Sequence, residues 1–162
     1  MSRTATDIIS DGLSYAIKGS DDDWTYIDET LIPKLEKTLI EEGTDGSEYI
    51  KSEKLLRNEN DNIRDYGGTV ATSLFKTKSY IHSEHSNLLE VLKSVAYEDP
   101  EIFPKFRAST ALVEADKNNP ENVDLDIDFN KLLENFNDAV NEDDELSEVA
   151  NPYIEYASDK IK

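Results

Sequence analysis

Apolar residues recur at intervals of three and four along most of this chain, and the polar residues between them carry helix start and stop signals. Thr4-x-x-Asp7 has the form of a capping box, Ile9, Leu13 and Ala16/Ile17 follow at helical spacing, and Gly19 is a stop. The pattern predicts a first helix over 5–18. Ser20 with Asp21, Asp22 and Asp23 places a cap and three carboxylates where a helix dipole favours anions. Trp24, Ile27, Leu31, Leu35 and Leu39 then form one stripe up to Gly43 and Gly46. Pro33 lies inside this stripe, so a kink or restart is expected there. A shorter helix is predicted over 48–58, with Tyr49, Ile50 and Leu55/Leu56 as its apolar members and Asn58–Asn62 as a polar break. Ser83 or Ser86 caps another, with Leu88/Leu89, Val91/Leu92 and Val95/Ala96 on one face and Asp99-Pro100 at its end. Asp128 caps a helix with the stripe Leu132/Leu133, Phe136 and Ala139/Val140. An acidic loop at 141–145 precedes a last helix starting at Asn151-Pro152.

Three stretches carry extended-chain signals. From Thr69 to Ile81 the chain is rich in Thr, Val, Phe, Tyr and Ile, and Gly67-Gly68 reads as a turn before it. Arg64, Gly67, Val70/Ala71 and Leu74 also keep helical spacing, so 63–81 is open to either element. Residues 108–115, which follow a loop anchored by Phe103-Pro104 and Phe106, are open in the same way. Val123 to Phe129 alternates apolar residues with Asp124, Asp126 and Asp128, the pattern of a half-buried strand. The expected fold is mainly α, of α+β type: a single domain, 1–162, of five to six helices with two or three short strands.

Charge divides the chain into three parts: an acidic helical part at 1–46, a neutral to basic middle at 47–107 and an acidic part at 108–162. There are 36 Asp and Glu against 17 Lys and Arg, a formal net charge of −19. A small domain is usually comfortable at a magnitude of roughly 2–8. Such a surface repels itself in ordinary buffer and is relieved near 1 M salt, where the Debye length is about 3 Å. The composition therefore points to a salt-loving source. Thirteen Phe and Tyr residues and many Ile, Leu and Val at regular spacing argue against a disordered chain. Within the middle part, residues 51–78 carry Lys51, Lys54, Arg57, Arg64, Lys76 and Lys78 against four acids.

Composition also excludes several chemistries. The chain has no Cys, which removes disulfides, Cys-ligated zinc, iron–sulfur clusters and thiol nucleophiles. No apolar window is long enough for a membrane span. Met1–Lys18 lacks the basic-then-apolar order of a secretory leader, so a cytoplasmic or virion location is expected. Asp124-x-Asp126-x-Asp128 has the first half of a calcium loop, but the sixth and twelfth positions are Phe129 and Asn135 rather than Gly and Glu. His82-x-x-His85 offers two imidazoles to a site needing three or four ligands. Gly67-Gly68-Thr69 lacks the lysine of a phosphate loop. No enzyme, cofactor or metal is expected.

The favoured function is a non-enzymatic structural or assembly subunit, a virion component of head–tail connector or neck type in an archaeal tailed virus. Its partners would be other protein subunits in a homo- or hetero-oligomer. Trp24, Tyr26, Tyr49, Tyr66, Tyr153 and Tyr156 are its candidate interface aromatics, because such rings bury large area while keeping a polar tip. The alternative is a winged helix-turn-helix regulator using 48–85. In it 48–58 is the first helix, 63–75 the recognition helix and 80–85 the wing, and the six basic residues of 51–78 face phosphates. A third reading is an acidic mimic of DNA.

Overall fold

The computed structural model describes residues 4–162. Met1–Arg3, the start of the leader reading, lie outside the described residues. The elements are α1 (Ala5–Lys18), α2 (Asp21–Tyr26), α3 (Ile32–Glu42), α4 (Ser47–Leu56), α5 (Asp61–Thr77), α6 (His82–Glu98), α7 (Ile102–Lys117), α8 (Phe129–Glu142) and α9 (Ser147–Lys160). A π turn, Ile27–Leu31, joins α2 to α3 without a break, so the described residues form eight helical rods. A short 3-10 turn, Asp144–Leu146, precedes α9.

The local signals explain most helix ends. Thr4 and Asp7 close a capping box on α1, and Ser20 and Asp23 close a second one on α2. Gly19 ends α1 at φ +64, in the left-handed region. Asn60 accepts from the Asn62 and Ile63 amides at the start of α5, and Asp128 accepts from Lys131 at the start of α8. At Pro33 the rod does not break, but ordinary α-helix restarts at Ile32 after the wider turn. The wider turn just before it carries an Ile32 N–H to Ile27 C=O bond, and the proline sits in the first turn of α3, where its missing donor is tolerated.

Helices α5 and α7 lie against each other at the centre. α1, α3 and α4 cover α5 from one side, and α6, α8 and α9 cover α7 from the other. Ten of the 17 residues of α5 and ten of the 16 of α7 are buried. Their closeness comes from glycine. A Cβ at Gly68 would lie 2.7 Å from Arg107 Cβ and 2.9 Å from its carbonyl carbon, and one at Gly67 would lie 2.8 Å from the Leu56 nitrogen. Gly67-Gly68 is thus the crossing point of α5 with α4 and α7, not a turn. Tyr66, one residue before, is wholly buried and donates its hydroxyl to the Ile9 carbonyl of α1 at 2.7 Å.

The expected strands are absent among the described residues, and the fold is all helix rather than α+β. The residues 63–81 are helical through Thr77 because α5 is enclosed on several sides. A helix so placed loses the one-sided stripe and fills with apolar and β-branched residues. Its threonines are accommodated inside the helix: Thr69, Thr72 and Thr77 donate to the carbonyls of Asp65, Gly68 and Ser73, four residues back. Residues 108–115 are helical for the same reason, buried without interruption. Phe103-Pro104 belongs to the first turn of α7 rather than to a loop.

Val123–Asp128 forms no helix and pairs with no strand. Leu125 is buried and the aspartates are exposed, as the alternation requires. Asp126 then turns to φ +54, with its amide donated to Asp124 Oδ1, and the run ends against Tyr97, whose hydroxyl accepts from the Asp128 amide. The last helix starts at Ser147, four residues before Asn151, and contains Pro152.

Candidate functional site

Three of the six basic residues of 51–78, Arg57, Arg64 and Lys76, pair with carboxylates of the same chain, and only Arg64 is drawn inward. The guanidinium of Arg64 is held on two sides by Asp99, Nε to Oδ2 at 2.6 Å and Nη2 to Oδ1 at 3.1 Å. Its Nη1 donates to the carbonyls of Asn58 and Glu59, in the turn before α5. This pairing holds its charge firmly on, its hydrogen bonds to Asp99 outweighing the cost of burial. Arg57 pairs with Glu53 at 3.0 Å and Lys76 lies 3.9 Å from Glu36. Lys51 and Lys78 are half-buried and Lys54 is exposed. The helix pair that a helix-turn-helix needs is present as α4 and α5, but α5 is covered by α1, α3, α4 and α7. The proposed wing, 80–85, runs into α6.

The six candidate aromatics separate in the same way. Tyr49 and Tyr66 are buried, and Trp24 packs half-buried against the core. Tyr153 and Tyr156 dock α9 on α7, donating to Glu114 Oε2 at 2.8 Å and, in a short hydrogen bond, to Asp116 Oδ2. Burial and the adjoining carboxylates raise both phenols far above their ordinary value. Tyr26 is the exposed one, at 39%, stacked on Tyr15 with ring centres 4.4 Å apart.

A second charged cluster lies where α5, α7 and the π turn meet. Arg107 places Nε 3.3 Å from Asp65 Oδ1 and Nη2 3.8 Å from Asp28 Oδ2. Burial pushes the Asp65 carboxyl up to about 6 in spite of the guanidinium beside it, and raises Asp28 as well. Two carboxylates share one cation here, Asp65 with little access to water and Asp28 at the exposed edge.

A groove between α4 and α6 reads as a receptor. A cleft of about 610 Å³ is bounded by Thr44–Gly46, Tyr49, Ile50 and Glu53 on one side and by Glu84, His85, Asn87 and Leu88 on the other. At Asn87 it meets a second cleft of about 430 Å³, bounded by Leu56, Arg57, Glu90, Val91, Ser94 and Val95. The start of α4 faces the start of α6 and its end faces the middle of α6, so the helices run the same way. The lining residues repeat every three to four positions on each helix.

The floor of the groove is aromatic. His85 stacks on Tyr49, ring centres 4.1 Å apart and 17° from parallel, with Phe75 and Tyr80 behind. His85 Nδ1 accepts from the Ile81 amide at 3.0 Å, which caps α6 and leaves the ring proton on Nε2, 3.9 Å from Glu84. Burial lowers its pKa, keeping the ring neutral at pH 7, and raises the Tyr49 phenol to about 12. His82 turns instead to the Tyr80 hydroxyl, at 2.8 Å, so the two histidines do not converge. Among the described residues no three His, Asp or Glu side chains are placed to hold a metal.

Sequence reading did not single out this groove. A signal was present in Ile50, which adds an apolar position next to Tyr49 and falls outside the buried face Tyr49-Ser52-Leu56. No protein family, no curated protein and no solved structure matches the chain. No helix of the described residues is long and apolar enough to cross a membrane.

Proposed function

We propose that this chain is a non-enzymatic structural or assembly subunit that works by docking to other protein subunits in a salt-rich medium. The observation that carries it is how charge is distributed. Among the described residues nine basic side chains approach carboxylates of the same chain within 4.0 Å, with Arg64, Lys93 and Arg107 mostly covered. What faces outward is therefore dominated by unpaired acids, 36 against 17 overall. Such a surface repels nucleic acid, whose affinity for proteins comes chiefly from Lys and Arg on phosphates. It is stable in brine and suits a basic protein partner. The burial of α5, with Arg64 bound to Asp99, favours this reading over a recognition helix.

The test is light-scattering mass on a sizing column at about 0.15 M and about 3 M salt, conditions that differ widely in screening. A compact chain and a defined oligomer, or capture of a second subunit, at high salt is the expected result. A compact monomer at both salts that binds duplex DNA instead would overturn it.

A further inference from the structure

We infer that the groove between α4 and α6 receives a basic amphipathic helix from a partner protein. The inference rests on the assembly reading and names the surface and the occupant. Ile50 is 58% exposed at the lip of a groove whose floor is Tyr49, His85 and Leu88. Two helices running the same way, with lining residues every three to four positions, form the seat that a third helix fills through its own i, i+3/i+4, i+7 side chains. The ten residues of α4 span about 15 Å, enough for about three turns of a partner helix.

Charge selects the occupant. Arg57 pairs with Glu53 at 3.0 Å and Lys93 with Glu90 at 3.6 Å, so these two lining carboxylates are balanced. The near end is not: Asp45 and Glu84 stand there over a neutral His85. A second copy of this chain would bring an excess of acids rather than of bases to Asp45 and Glu84. A helix with leucine-like anchors flanked by lysine or arginine meets both the apolar lip and the acidic end. The apolar contact survives the high salt in which diffuse attraction is screened.

The probe is a dye-labelled Leu/Lys amphipathic peptide of about 14 residues, long enough to cover α4 as a helix. Its anisotropy is followed at about 1 M salt, so that general polyanion attraction is suppressed. Saturable binding is expected, weakened at least tenfold by Ile50→Asp and by Glu84→Lys. Ile40→Asp, an equally exposed change on α3 outside the groove, should leave it unaltered. Equal binding by Ile50→Asp and Ile40→Asp refutes the inference. So does equal binding of a scrambled peptide whose Leu and Lys no longer segregate, or of a Leu/Glu version. The sizing experiment separates the two ideas. Assembly of the wild type without this peptide pattern removes the groove and leaves the assembly reading. The peptide pattern without any assembly does the reverse.

Discussion

Replacing Gly68 by Ala tests the centre of the fold, because two local rules give it opposite signs. Helix propensity alone makes the change favourable: Ala is better than Gly inside a helix by about 1 kcal/mol. Packing makes it unfavourable. The added methyl would sit 2.7 Å from Arg107 Cβ, 2.9 Å from the Arg107 carbonyl carbon and 3.0 Å from the Ala108 nitrogen. Carbon atoms prefer about 3.5–4.0 Å, so α5 and α7 must separate by the better part of an ångström. Two of the three obstructing atoms are backbone, which no rotamer change can clear. A gap of that size forfeits a quarter to a half of the dispersion energy along a seam, and overpacking of a dense core typically costs about 1–3 kcal/mol. The most extensive seam of the molecule is the one that opens, so the upper end applies, and the net loss is about 2 kcal/mol. Urea unfolding followed by far-UV circular dichroism at about 1 M salt reads this directly, as a midpoint lowered by about 1 M at unchanged slope. A variant as stable as the wild type, or more stable, refutes the close crossing and with it the account of why α5 cannot serve as a recognition helix.

Further measurements follow from the charges. Raising salt from about 0.1 M to about 1 M should raise the unfolding midpoint steeply, since −19 is being screened; a flat response removes the argument for brine. Asp65 holds its proton more tightly folded than unfolded, about 6 against 3.8, so its contribution to stability is full below about 3.8 and is lost as pH rises through about 6. Asp65→Asn should therefore flatten the stability profile between pH 4 and 6 relative to the wild type, and an unchanged profile refutes that burial. Arg64→Met should cost about 3 kcal/mol by leaving the buried Asp99 carboxylate without its cation and with only the Glu101 amide donating to it, while the double change with Asp99→Asn should cost less than the sum of the single changes; strict additivity in the cycle argues against the pair. Tyr153→Phe should cost about 1–3 kcal/mol by removing the hydroxyl that Glu114 accepts from, and no loss would mean α9 is not docked there.

The sequence was most legible where one helix face meets the core and the ends carry caps. α1 is the clearest case, with its box at Thr4 and Asp7 and its stop at Gly19, and α8 with Asp128 is another. It was least legible at the centre. α5 has no polar face wide enough to reveal its period, and its threonines and aromatics imitate a strand because tertiary enclosure overrides local propensity. Gly67-Gly68 carries two meanings in a linear text, turn or close approach, and only the neighbouring backbone decides between them. Val123–Phe129 was correctly read for which residues face inward; a strand also needs a partner, and alternation says nothing about that. The groove was hidden for a related reason. Tyr49 and His85 are 36 positions apart, and nothing local announces that their rings stack.

The π turn at Ile27–Leu31 acts as a gear between the two ends of one rod. In an unbroken α-helix, positions four apart creep round the axis by about 40° at each step, because each residue advances about 100°. Ile27, Leu31, Leu35 and Leu39 are all buried, a run that would otherwise wind away from the core by about a third of a turn. The wide turn takes up part of that winding. The extra residue held in this turn lets Ile27 face the core together with Leu31, Leu35 and Leu39. Removing a residue from 27–31 would convert it to ordinary helix and leave α2 nearly in place, since five residues of wide turn and four of α-helix sweep about the same angle, whereas removing one from the ordinary helix of α3 would swing everything before it about 100° round the axis.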